Sequence, residues 1–137
     1  LTSGVELAAG GSGWSAVSDR NRKENFLGLE GEDILARLRN VPVSTWNYRT
    51  QDASIRHMGP MAQDFHAAFG LGENELMINS IDIDGVNMAA VQALTARTDA
   101  LRTENEALRA ENAAQAAQIA DLQARMERLE ALVAPKP

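Results

Sequence analysis

Ser18 and Lys23 stand five residues apart in the run Ser18-Asp19-Arg20-Asn21-Arg22-Lys23. A serine hydroxyl is a weak nucleophile until a base takes its proton, and a neutral lysine amine is such a base. The cations Arg20 and Arg22 favour the neutral amine, and Asp19 opposes it. Spacing alone does not select this pair, because serine and lysine five apart recur by chance. On a helix the two side chains would point about 140° apart, and on a strand they would lie on opposite faces. A pair within one chain therefore requires a turn at Arg20-Asn21. The alternative is a lysine supplied by a neighbouring copy.

Other residues with chemical capacity carry less. His57 and His66 are nine apart, and the chain has no cysteine to join them in a metal site. Packing or surface roles are the expectation for both. Asp82 and Asp84 lack the ligand spacing of a calcium loop, and capping and turn formation account for them better. Gly10, Gly11 and Gly13 interrupt the first seventeen residues without the strand-turn-helix context of a dinucleotide site. No cofactor and no metal are expected.

Pattern supplies the elements that must position these residues. Trp14 is read as an anchor of the Gly-rich stretch onto the domain after it. Ile34, Leu35 and Leu38 have helical spacing, which predicts a short helix over 32–38 that ends near Asn40-Val41-Pro42. Val43 to Tyr48 has strand composition, Gln51-Asp52-Ala53 reads as a turn, and Ser54 to Met58 reads as a second strand of a hairpin. A helix comes next, with Pro60 near its first position, an apolar face of Met61, Phe65 and Phe69, and Gly70 as its stop. Leu76 to Ile83 reads as a short strand. Asp84-Gly85 reads as a turn, with Asp84 capping a long helix.

That helix, 88–133, dominates the chain. Leu94, Leu101, Leu108, Leu122 and Leu129 recur at heptad spacing, with Gln115 in the one gap. Val91, Thr98, Asn105, Asn112, Ile119, Met126 and Val133 form the companion series. These are the d and a positions of a coiled coil. A narrow seam of period 3.5 implies self-association, and a helix roughly 70 Å long exceeds what a domain of this size can cover. Glu104 with Arg109, and Arg125 with Glu130, suit parallel pairing, whereas Arg97 opposite Arg102 is repulsive. Thr98, Asn105, Asn112 and Gln115 make the middle of the seam a polar waist. Periodicity leaves the number of strands open.

Composition sets bounds. The net charge of −6 disfavours non-specific binding to nucleic acid. No apolar stretch is long enough to span a membrane, and no signal peptide is visible. The part before the coil is near the small end for an independent core, so help from association is expected. The chain begins at Leu1 rather than at methionine, which predicts an upstream part.

The motif Ser18-Asp19, Arg20-Asn21-Arg22, Lys23-Glu24-Asn25 resembles the opening of the C-terminal intramolecular chaperone autoproteases of phage tailspikes, tail fibres and endosialidases. The resemblance continues through Trp46-Asn47-Tyr48 and through Arg56-His57-Met58-Gly59-Pro60-Met61-Ala62-Gln63-Asp64, and it ends in a C-terminal helix. It implies a homotrimer that aligns three copies of a β-rich passenger of the same polypeptide and then cuts itself off. It further implies Ser18 as nucleophile, Lys23 as general base and Val17-Ser18 as the cut bond. It places the protein in a virion tail-fibre precursor assembled in the host cytoplasm, or in a prophage-like bacterial counterpart.

The fold class expected is α+β: a small globular domain of short strands and helices, then a long helix in a parallel trimeric coiled coil. Residues 1–17 would be the end of an upstream passenger or a linker, 18–87 the chaperone and autoprotease domain, 88–133 the coil and 134–137 a tail. The rival readings are a permanent trimerisation cap that never cleaves and a coiled-coil adaptor for an unrelated helix.

Overall fold

The computed structural model describes residues 4–134. The tail expected at 134–137 therefore falls, from Pro135 onward, outside the described residues. Two compact units are present, one up to Leu94 and one from Thr95.

The first unit opens with a hairpin that the Gly-rich composition had concealed. β1 (Val5–Glu6) pairs antiparallel with β2 (Ser15–Ala16), in the register Val5 to Ala16 and Glu6 to Ser15. Gly10 takes φ +78 in the connection, a left-handed value that suits glycine. Trp14 is 71% exposed, so the anchor role expected for it is not realised in this chain. Backbone pairing joins the two strands.

α1 (Gly31–Arg39) carries Glu32 and Asp33 in its first turn and Arg37 and Arg39 in its last, the arrangement that the helix dipole favours. Asn40 closes it, and the Asn40 side chain donates to the Ala36 carbonyl at 3.1 Å. β3 (Ser44–Trp46) and β4 (His57–Gly59) form the expected antiparallel hairpin with shorter strands, pairing Ser44 with Gly59 and Trp46 with His57. α2 (Ala62–Phe69) ends at Gly70 in the left-handed conformation, φ +64. Pro60 lies before the Met61 cap, outside the helix, rather than at its first position.

α3 runs from Ser80 to Val133 without interruption. The strand expected at 76–83 and the turn at Asp84-Gly85 are therefore absent. The helix begins earlier because Asn79 caps it: Asn79 Oδ1 accepts from the Ile81 amide at 3.2 Å, and its carbonyl accepts from Asp82 and Ile83. A glycine inside a helix costs about 1 kcal/mol. Burial of Val86 and Ala90, 4% and 5% exposed, more than offsets it.

The core is Ile34 of α1, Phe65 of α2, and Val86 and Ala90 of α3, with Leu38, Phe69 and Ile83 packed around them. Arg37 ties two of these helices together: its guanidinium pairs with Asp33 at 2.8 Å and donates to the Ala68 carbonyl at 3.2 Å. In the second unit α3 continues to Val133, and no residue from Thr95 to Ala134 is buried. No helix of the described residues is long and apolar enough to cross a membrane.

Candidate active site

The segment between Val17 and Glu30 has no strand and no α-helix, so local hydrogen bonds must shape it. Asp19 starts the shape. Its backbone is extended, and its Oδ1 accepts from the Asn21 amide and from the Asn21 side-chain amide, both at 3.0 Å. The chain then winds through one 3-10 turn, Arg20–Arg22, in which Arg22 N–H donates to the Asp19 carbonyl and Lys23 N–H to the Arg20 carbonyl. Lys23 leaves the turn extended, at φ −122 and ψ 151. Asn25 then takes φ +56, a left-handed value that asparagine tolerates better than most residues.

The result is a contact that neither a helix nor a strand permits at this spacing. Lys23 Nζ lies 2.6 Å from Ser18 Oγ and donates a hydrogen bond to it. The turn required of an intrachain pair is present, so a single chain brings both residues together. Both are exposed to solvent in that chain. Along the same N···O axis, a neutral amine can accept the hydroxyl proton.

Val17, on the upstream side of the same peptide bond, is held as well. Its amide donates to the Gly4 carbonyl at 2.8 Å, one step beyond the β1–β2 pairing. The hairpin thus delivers an extended backbone directly to Ser18.

The second motif forms a cluster of its own on the β3–β4 hairpin. Arg56 bridges the hairpin, donating to Thr45 Oγ1 at 3.0 Å and to Asn47 Oδ1 at 3.2 Å. His57 stacks on Trp46 with ring centroids 4.8 Å apart and meets the Tyr48 edge at 5.4 Å. Its Nε2 donates to Gln51 Oε1 at 2.9 Å. His66 donates from Nδ1 to the Leu71 carbonyl at 2.9 Å. Each histidine is thus occupied in packing and backbone support. Asp82 lies in the first turn of α3, where a carboxylate favours the helix dipole. In the connecting loop, the Ser54 hydroxyl and then the Ser54 amide donate to Asp52, and these bonds hold its carboxyl below the usual carboxylate range.

Two structural roles had escaped the sequence. Asp19 was visible only as a charge opposing its cationic neighbours, although an Asp followed two residues later by a turn-prone Asn is the local signal of such a cap. Asn79 had a signal of its own, a residue type that favours helix caps placed one residue before a helical run.

With this geometry in place, comparison with known proteins adds one finding. Residues 18–71 match the model of a peptidase family described as chaperone of endosialidase, and the match begins at Ser18 itself. No curated protein matches the chain.

Proposed function

We propose, for a chain whose residues 18–71 match the chaperone-of-endosialidase family, that this module trimerises, guides the folding of an N-terminal tail-fibre or tailspike passenger, and releases itself by cutting Val17-Ser18. The observation that carries the reading is the 2.6 Å contact of Lys23 Nζ with Ser18 Oγ at the first residue of the matching segment.

The chemistry is set by the position of the nucleophile, which is the residue just after the cut. Ser18 Oγ attacks the Val17 carbonyl carbon as its proton passes to the neutral Lys23 amine. The tetrahedral adduct collapses, the C–N bond breaks, and Lys23 returns the proton to the departing Ser18 nitrogen. Val17 is then esterified on Ser18 Oγ. Water hydrolyses that ester, freeing a Val17 carboxylate and restoring the hydroxyl. Because nucleophile and carbonyl belong to one chain, the effective molarity of well-oriented groups, about 10⁵ M or more, replaces a second-order encounter. Packing of protomers that removes water from the exposed pair would favour the neutral amine that the first step needs.

Self-association is supported by an apolar seam that this chain leaves uncovered. Leu101, Leu108 and Leu122 of α3 are each about half exposed, at 51%, 49% and 55%. Helical stability in a protein comes mostly from packing of an apolar face. Alignment of three chains raises the effective concentration of passenger strands whose non-local pairing is otherwise slow. The setting is a tail-fibre precursor in a host cell, of phage or prophage origin.

Expression of the chain with its native passenger tests the reading, by mass spectrometry of the fragments. Wild type splits between Val17 and Ser18, whereas Ser18→Ala and Lys23→Ala each slow the split by about 10³-fold or more and keep the trimer. Unchanged splitting in Lys23→Ala would remove the lysine from the chemistry. An intact wild type would make the module a permanent cap.

A further inference from the structure

We infer that Asp19 is the positioning residue of the Ser18–Lys23 pair: its carboxylate folds the turn that carries Lys23 Nζ onto Ser18 Oγ. The inference rests on the self-cleavage reading and deepens it. No residue of the Arg20–Arg22 turn is buried, so core packing does not hold the turn. A single 3-10 turn has poor hydrogen-bond geometry of its own, and here its backbone bonds are 3.0 and 3.2 Å long. The remaining support comes largely from Asp19. Its Oδ1 takes two donors from Asn21, and its Oδ2 faces Arg22 Nε at 3.8 Å. Both the extended residue before the turn and the extended Lys23 after it are thereby fixed, and the five-residue separation closes to one hydrogen bond.

The acceptor oxygen of Asp19, rather than its charge, assembles the pair. Asp19→Asn separates the two, because it keeps the oxygen that receives the Asn21 amide and removes the charge.

The experiment compares the rate of splitting at Val17-Ser18 in wild type, Asp19→Ala and Asp19→Asn with the native passenger attached. Light scattering and circular dichroism confirm that all three assemble alike. Asp19→Ala slows the split by roughly three- to thirtyfold, the loss expected from removal of a turn-capping side chain. Asp19→Asn stays within about threefold of wild type, because it keeps the oxygen that receives the Asn21 amide. A rate in Asp19→Ala equal to wild type, or in Asp19→Asn as low as in Asp19→Ala, overturns the inference. A second readout does not depend on splitting. The Lys23 Nζ resonance shifts in Ser18→Ala and in Asp19→Ala alike, and stays in place in Asp19→Asn. If wild type never splits, the self-cleavage reading falls, while this resonance still decides what Asp19 does.

Discussion

A methyl group on Gly31, the first residue of α1, would stand 2.8 Å from Ala93 Cβ of α3. Ala93 has no flexible end to yield, and its own Cα is only 3.4 Å from the same point. Glycine is required here for close approach rather than for an unusual φ. Gly31→Ala should destabilise the first unit by about 1–3 kcal/mol, as other small-to-large changes in packed sites do. Chemical denaturation checks this, and unchanged stability would mean that the two helices separate at no cost.

Phe65 is the most buried residue of the core, 3% exposed, with Phe69 at a centroid distance of 5.2 Å. Phe65→Ala should cost about 3–5 kcal/mol, from lost transfer energy and the cavity left behind. In a unit this small, that loss approaches the whole stability, so the variant should show non-cooperative melting by circular dichroism.

The early start of α3 makes truncation informative. A chain ending at Leu94 keeps Val86, Ala90 and Ala93 against α1 and α2, whereas one ending at Asn87 loses Ala90 from the core. The first should retain dispersed amide signals by NMR, and the second should not. Equal spectra from the two would show that the later turns of α3 add nothing to the core.

The coil should control the cut. Leu101→Asp combined with Leu122→Asp places charge in the seam of each protomer, and the mass by light scattering should fall to that of the monomer. Splitting at Val17-Ser18 should fall with it, although Ser18 and Lys23 are intact. Persistent splitting in the monomer would show that the pair within one chain is sufficient and that assembly does not gate it.

Asp52 gives a pH dependence with a definite sign. Hydrogen bonds from Ser54 hold its carboxyl below the ordinary value of 3.8. A group with a depressed folded pKa stabilises the fold above its unfolded pKa and loses that contribution as pH falls through the folded one. The Asp52 turn should therefore be intact above about pH 4 and loosen below it. Ser54→Ala removes the larger of the two causes and should move the titration of the Asp52 carboxyl carbon, followed by NMR, upward toward 3.8. An unmoved midpoint would discard this assignment.

Much of the arrangement was legible in the residues because it is local. The heptad seam is a repeat along one helix, and period alone reveals it. The α2 stop at Gly70 needs only a residue free to take positive φ, and the β3–β4 hairpin needs only two β-prone runs around a turn. The motif from Ser18 to Lys23 named its two candidates for chemistry, and the spacing rule left two ways to join them, a turn within one chain or a lysine from a neighbouring copy.

Tertiary structure decided what depends on distant partners or on competing local bonds. Asp84-Gly85 has turn composition, yet it lies within α3, because Val86 and Ala90 gain more by burial against Ile34 and Phe65 than a helical glycine costs. Trp14 looked like an anchor, but β1 and β2 close without it, since backbone pairing asks nothing of a side chain. Ser18 and Lys23 meet across a turn in which one Asp19 oxygen gathers both Asn21 donors, a choice among rival hydrogen bonds that composition leaves open and geometry resolves.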